Sequence, residues 1–138
     1  MGANYMQPLN PLEKELLGKW LSKADSDLRV AEKLADDPAD YDAVAFHCQQ
    51  AVEKYLKARL AAALIEPPRT HDLLRLLQLV SSLETFSVAE NTMASLLNPF
   101  SVSIRYPHEE DEPPVPDLLG AARHFRNKFQ PIILNFVA

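Results

Sequence analysis

Phe46-His47-Cys48-Gln49-Gln50-Ala51-Val52-Glu53-Lys54-Tyr55-Leu56-Lys57-Ala58 decides the fold. Wound at about 100° per residue, the run sorts into two faces. Val44, Cys48, Ala51, Val52, Tyr55, Leu56 and Ala62 share a broad apolar arc. His47, Gln50, Lys54 and Lys57 fall on a polar stripe. The wet face of an ordinary amphipathic helix is mostly Lys and Glu. Histidine and glutamine on this stripe point to hydrogen bonding rather than to solubility alone. The width of the apolar arc predicts a central helix, from about Asp42 to Leu64, contacted on several sides and ended by Glu66-Pro67-Pro68.

Working outward, a first helix is expected from about Leu12 to Ala35, with Leu16, Leu17, Trp20, Leu21, Ala24, Leu28, Ala31 and Ala35 as its core stripe. Asp27 falls inside that stripe, near Trp20 and Leu34 in projection, and a carboxylate there needs a partner or water. Asp36 to Asp40, with Pro38 at its centre, separates the first two helices. Gln49 and Arg59 also sit on core-type positions and are expected to be structural polar residues, as is Asp27. Thr70 is expected to cap a short third helix, His71 to Leu83, with Asp72 in its first turn. Ser87 and Glu90 form the capping box of a fourth, which stops near Asn98-Pro99. Residues 101–117 read as an irregular, acidic, proline-rich segment. A last helix starts near Asp117, and its apolar phase survives Pro131, so a kink rather than an end is expected there. The fold class is therefore all-α, an up-and-down bundle of about five helices: residues 1–11 as an N-terminal tail and 12–138 as a single domain.

Composition narrows the function. The chain has 138 residues, enough for one domain, and 47% hydrophobic residues can build its core. Only Gly2, Gly18 and Gly120 are glycines, and no glycine-rich phosphate loop is present. A net charge of −5 argues against a broad nucleic-acid footprint and leaves room only for a local basic patch. The single cysteine, Cys48, reads as a small buried hydrophobe, and with no pair the chain fits a reducing compartment. No apolar run approaches the roughly 20 residues of a membrane span, and no signal peptide is read, so a cytoplasmic protein is expected. The histidines His47, His71, His108 and His124 lack metal-ligand spacing, so neither a metal nor another cofactor is expected.

Two further groups could carry chemistry. Arg105-Tyr106-Pro107-His108 joins a cation that can grip phosphate, a ring that can stack and a group that can move protons. The plainer reading has Arg105 paired with Asp27 or an acidic loop residue and Tyr106 closing the core. Arg123, His124, Arg126, Asn127 and Lys128 spread over the polar arc of the last helix, a solvated face by default and an RNA-backbone contact otherwise.

Four elements together resemble the HEPN family (higher eukaryotes and prokaryotes nucleotide-binding domain). They are Trp20-x3-Ala24-x2-Asp27-Leu28; Phe46-His47-x-Gln49-Gln50-Ala51-x-Glu53-Lys54-x-Leu56-Lys57-Ala58; Thr70-His71-Asp72-Leu73-x2-Leu76; and Arg105-Tyr106-Pro107. The resemblance implies a helical bundle that commonly forms homodimers and associates with nucleotides or RNA. Many small prokaryotic relatives pair with a minimal nucleotidyltransferase, often as toxin–antitoxin systems. On this reading Lys54 and Arg105 would hold phosphate, His47 and Gln50 would hydrogen-bond base or sugar, and Lys57 and Tyr106 would complete the nucleotide site. Some members are metal-independent ribonucleases whose Arg precedes a His by four to six residues. Here Arg105 precedes His108 by three, so a ribonuclease with Arg105 and His108 as catalytic residues is the alternative. A non-catalytic interaction module is the third reading, and an exposed apolar patch would point to it.

Overall fold

The computed structural model describes residues 8–102 and 112–138. Five helices follow in order: α1 (Pro11–Leu34), α2 (Tyr41–Ala62), α3 (Leu73–Val80), α4 (Val88–Leu97) and α5 (Val115–Val137). One 3-10 turn, Pro38–Asp40, joins α1 to α2, and another, Asn98–Phe100, follows α4. The all-α bundle is as expected, and no strand occurs among the described residues. None of the described helices is long and apolar enough to cross a membrane.

Local chemistry explains most boundaries. Asn10 caps α1 by accepting from the Glu13 backbone N–H at 2.8 Å, and the Glu13 carboxylate returns the bond to the Asn10 N–H. Pro11 sits in the first turn, where its missing N–H costs nothing. The segment expected to be a tail thus supplies the cap, the first helical residue and a core side chain, Leu9. Asp37 caps the 3-10 turn that starts the reversal into α2. The α3 cap is Asp72, not Thr70: its carboxylate accepts from the Leu74 and Arg75 N–H groups, while the Thr70 hydroxyl accepts from Asp72 N one turn earlier. Asn98 bridges this cap to the end of α4 by accepting from Leu73 N and donating to Asp72. α3 ends at Val80, short of the expected Leu83. The Ser87–Glu90 capping box of α4 is present as read. α5 runs on through Pro131.

The end of α2 is unusual. Ile65 N–H reaches back to the Leu60 carbonyl at 2.9 Å, which closes the helix, and Leu64 takes φ 60° to allow it. That left-handed position usually belongs to glycine, and a leucine there costs roughly 1 kcal/mol.

Cross-helix contacts define the packing. Asp27 of α1 meets His47 and Lys54 of α2, while Leu17 and Trp20 lie beside Ala61, so the two helices run antiparallel. α5 returns along both: Arg123 reaches Glu32, and Arg59 lies 5.3 Å beneath the Phe136 ring centroid. α2 is the buried centre, with Val44, Cys48, Ala51, Val52, Tyr55 and Leu56 fully inaccessible. Burial pushes the Cys48 thiol up to about 12, an unreactive core sulfur. Leu16, expected in the core stripe, is instead 51% exposed, because α1 turns its Leu17–Leu21–Leu28 edge toward α2 and α5.

α4 is tied to α5 through one carboxylate. Glu90 closes its own cap, then accepts from Lys128 Nζ at 2.9 Å and lies 2.9 Å from His124 Nε2. Burial pushes this carboxyl up, but the Ser87 N–H, His124 and Lys128 outweigh it and leave it lowered to about 2. A depressed carboxyl stabilises the fold fully above the ordinary value of about 4.5 and loses that contribution as pH falls toward 2. Acid unfolding should therefore show up to about 3 kcal/mol of stability lost between pH 5 and 2 from this group. Glu90→Gln should flatten that part of the profile; an unchanged slope in the variant would refute the assignment.

Candidate functional site

The polar stripe of α2 lies along its border with α1 and the start of α3. His47 and Lys54 are two turns apart, so both stand on one edge of the helix and a single carboxylate can serve them. Asp27 does this: Oδ1 lies 2.8 Å from His47 Nδ1, and Oδ2 accepts from Lys54 Nζ. The side chains are 12% exposed at Asp27, 28% at His47 and 21% at Lys54, so the cluster sits at the rim of the core and touches solvent. In a neutral ring, Nδ1–H donating to Asp27 fixes the tautomer and leaves Nε2 as an acceptor. Arg59 is engaged elsewhere and is not a partner of Asp27.

The stripe continues as a chain of hydrogen bonds. Gln50 Nε2 donates to Gln49 Oε1 at 2.8 Å, and Gln49 Nε2 donates to the His71 carbonyl at 2.9 Å. His71 Nδ1 lies 2.9 Å from Glu53 Oε1, and Lys57 Nζ donates to Glu53 Oε2 at 3.1 Å. Lys57, expected to face a ligand, is instead buried with Glu53, because the chain at His71 folds across that end of the stripe. The i,i+4 spacing of Glu53 and Lys57 is the signal of this pair that the sequence carries. Gln49 is buried, with its amide bonded to Gln50 and to the His71 carbonyl. Arg59 Nε donates to Glu84 at 2.7 Å, and its buried Nη1 has no hydrogen-bond partner among the described residues.

The polar arc of α5 is more engaged than a solvated face. Arg123 donates twice to Glu32, and His124 and Lys128 share Glu90. Among the described residues Arg126 bonds only its neighbour Asn127, through Nε at 3.2 Å. Arg105, Tyr106 and His108 lie outside the described residues. Among the described residues, no three His, Cys, Asp or Glu side chains gather to hold a metal.

The stripe's chemistry follows from its charges. Asp27 cancels Lys54, and Glu53 cancels Lys57, so neither lysine is a free phosphate clamp. What remains open is hydrogen-bonding capacity at His47 Nε2 and Gln50 Oε1. Replacing Asp27 by Ala should cost about 1–3 kcal/mol in denaturant unfolding, since two half-buried donors lose their acceptor. Lys54→Ala in that background should cost less than it does alone. Strict additivity would show that the three groups do not act as a unit.

No curated protein and no solved structure matches the chain. The family model of the HEPN domain matches residues 17–131, which hold α1 from Leu17 onward, the whole α2 stripe and most of α5. With that match over most of its length, and with the helical bundle and the Asp27–His47–Lys54 cluster inside it, the chain belongs to the HEPN domain family.

Proposed function

We infer from membership in the HEPN family that the protein is a nucleotide- or RNA-related module in general terms. We propose that it binds a nucleotide or RNA end at the α1–α2 rim, without cleaving it, in concert with a minimal nucleotidyltransferase of the toxin–antitoxin type. His47 and Gln50 hydrogen-bond the base or sugar, Arg105 holds the phosphate, and Lys54 keeps Asp27 in place for His47. The observation that carries this reading is the His47–Asp27–Lys54 cluster: a carboxylate holds a half-exposed histidine in one orientation, so its other nitrogen is presented at little entropic cost. The ribonuclease alternative rests on Arg105 and His108, which lie outside the described residues.

Thermal unfolding with a panel of nucleotides and short RNAs tests the reading. A ligand at 100 times its Kd should add about 2.7 kcal/mol and raise Tm by several degrees. Lys54→Ala/Arg105→Ala should lose that shift. No shift with any ligand, or an undiminished shift in the variant, would refute it; RNA cleavage abolished by Arg105→Ala would replace it with the ribonuclease.

A second observation supports the expected homodimer. Leu16, Leu64 and Ile65 are exposed beside half-buried Trp20 around a groove of about 330 Å³. Leu64 holds its apolar side chain there in a strained backbone conformation where glycine would be easier. The patch has an apolar ridge on α1 next to a groove ending at α2, so two copies can seat ridge in groove about a two-fold axis. Sedimentation at micromolar concentration should give a dimer, and Leu16→Glu, an exposed change, should shift it toward monomer. A monomeric native protein would sink this part of the proposal.

A further inference from the structure

On the side of α1 away from Asp27, a cleft of about 140 Å³ opens between α1 and α5. Its lining includes Asp25, Leu28, Arg29 and Glu32 from α1 and Arg126 and Gln130 from α5. Asp25, Arg29 and Glu32 lie about half a turn around the helix from Asp27, so this cleft is separate from the α2 stripe.

The two acids of the cleft are already used. Asp25 accepts from the Tyr55 hydroxyl and from Gln130 Nε2 at 3.1 and 3.2 Å. Glu32 accepts both Arg123 Nε and Nη2, at 2.9 and 2.7 Å. The other two cations are not used in this way. Arg29 is exposed and has no hydrogen-bond or ion-pair partner among the described residues. Arg126 spends only Nε, on the neutral Asn127 amide, which leaves both terminal nitrogens of its fork unbonded among the described residues. Arg29 on α1 and Arg126 on α5 stand on opposite walls of the cleft. Counting Asp25, Glu32, Arg29, Arg123 and Arg126, two acids face three arginines, a local excess of one positive charge on a chain of net −5. Lys33, one turn beyond Arg29, is also exposed and extends the basic row along α1.

A fork of planar donors on each wall of a small cleft suits an oxyanion with several acceptor oxygens. The volume is below the several hundred Å³ that a nucleoside-sized ligand needs. We propose that the α1–α5 cleft is a second nucleic-acid contact, in which Arg29 and Arg126 clamp one backbone phosphate of a single-stranded RNA. Lys33 then meets the next phosphate along the strand. The inference rests on the RNA half of the proposed function and gives that function a footprint beyond one nucleotide.

The test is binding of a fluorescent single-stranded oligoribonucleotide by anisotropy across a salt series. Arg29→Gln/Arg126→Gln should weaken binding about tenfold and reduce the salt slope by about 1.4, since each single-strand phosphate contact contributes about 0.7. Arg29→Lys/Arg126→Lys should recover the slope but only part of the affinity, because the charge returns without the fork. Both pairs are at the surface, and an unchanged Tm verifies folding. Equal binding by the Gln pair and the native chain would overturn the inference, and so would native protein that binds no RNA or that prefers a poly-glutamate peptide in competition. Mononucleotide thermal shifts lost in Lys54→Ala/Arg105→Ala but kept in Arg29→Gln/Arg126→Gln separate the two sites. A failure of the cleft alone would leave the α1–α2 reading standing.

Discussion

Helix α2 is covered around most of its circumference, and every polar side chain on it must therefore find a partner within the protein. Ten of its apolar side chains supply the core, yet Gln49, Glu53, Lys57 and Arg59 are buried beside them. Leaving any of these groups unpaired would cost a few kcal/mol, of order, comparable to a large part of a domain's net stability. The surrounding elements give each of these side chains a partner, although Arg59 pairs through Nε while its buried Nη1 has no hydrogen-bond partner among the described residues. α1 brings Asp27 to His47 and Lys54, the chain before α3 brings His71 to Gln49 and Glu53, and the turn after α3 brings Glu84 to Arg59.

This arrangement makes the polar stripe part of the packing as well as a candidate binding edge. Its inner half, from Gln49 to Lys57, is closed by the chain around His71 and holds the short α3 region against α2. Its outer half, His47, Gln50 and Lys54, keeps contact with water. Specific hydrogen bonds orient the outer residues before any ligand arrives, which lowers the entropic cost of binding. The same principle appears at the α4–α5 junction, where Glu90 is at once a helix cap and an acceptor for two side chains of α5.

Charge is distributed unevenly for the same reason. Asp27, Glu32, Glu53, Glu84 and Glu90 neutralise most of the cations of α2 and α5, and Arg126 of α5 joins Arg29 and Lys33 of α1 in a basic edge on an acidic molecule. The apolar patch near Leu16 and Leu64 lies at the opposite end of α1 from that edge. One long helix thus borders three surfaces of different chemistry: an apolar one at its start, the Asp27 cluster on one side, and the arginine cleft on the other.

Local patterns were enough for the helices, for the Ser87–Glu90 box and for buried Cys48, because these depend on spacings of three or four residues. The oddity of Asp27 was also visible, since a carboxylate in an apolar stripe stands out whatever the fold. Its partners were not, because His47 and Lys54 are twenty or more residues away and become neighbours only when α1 and α2 pack antiparallel. Leu16 and Lys57 were misplaced for the same reason: a helical projection orders residues around an axis but does not say which arc a neighbour will cover. By itself the sequence determined the helices, the Ser87–Glu90 cap and the family. Only the tertiary structure decided which charges are spent on one another and which remain free, because that depends on distances between side chains on different helices.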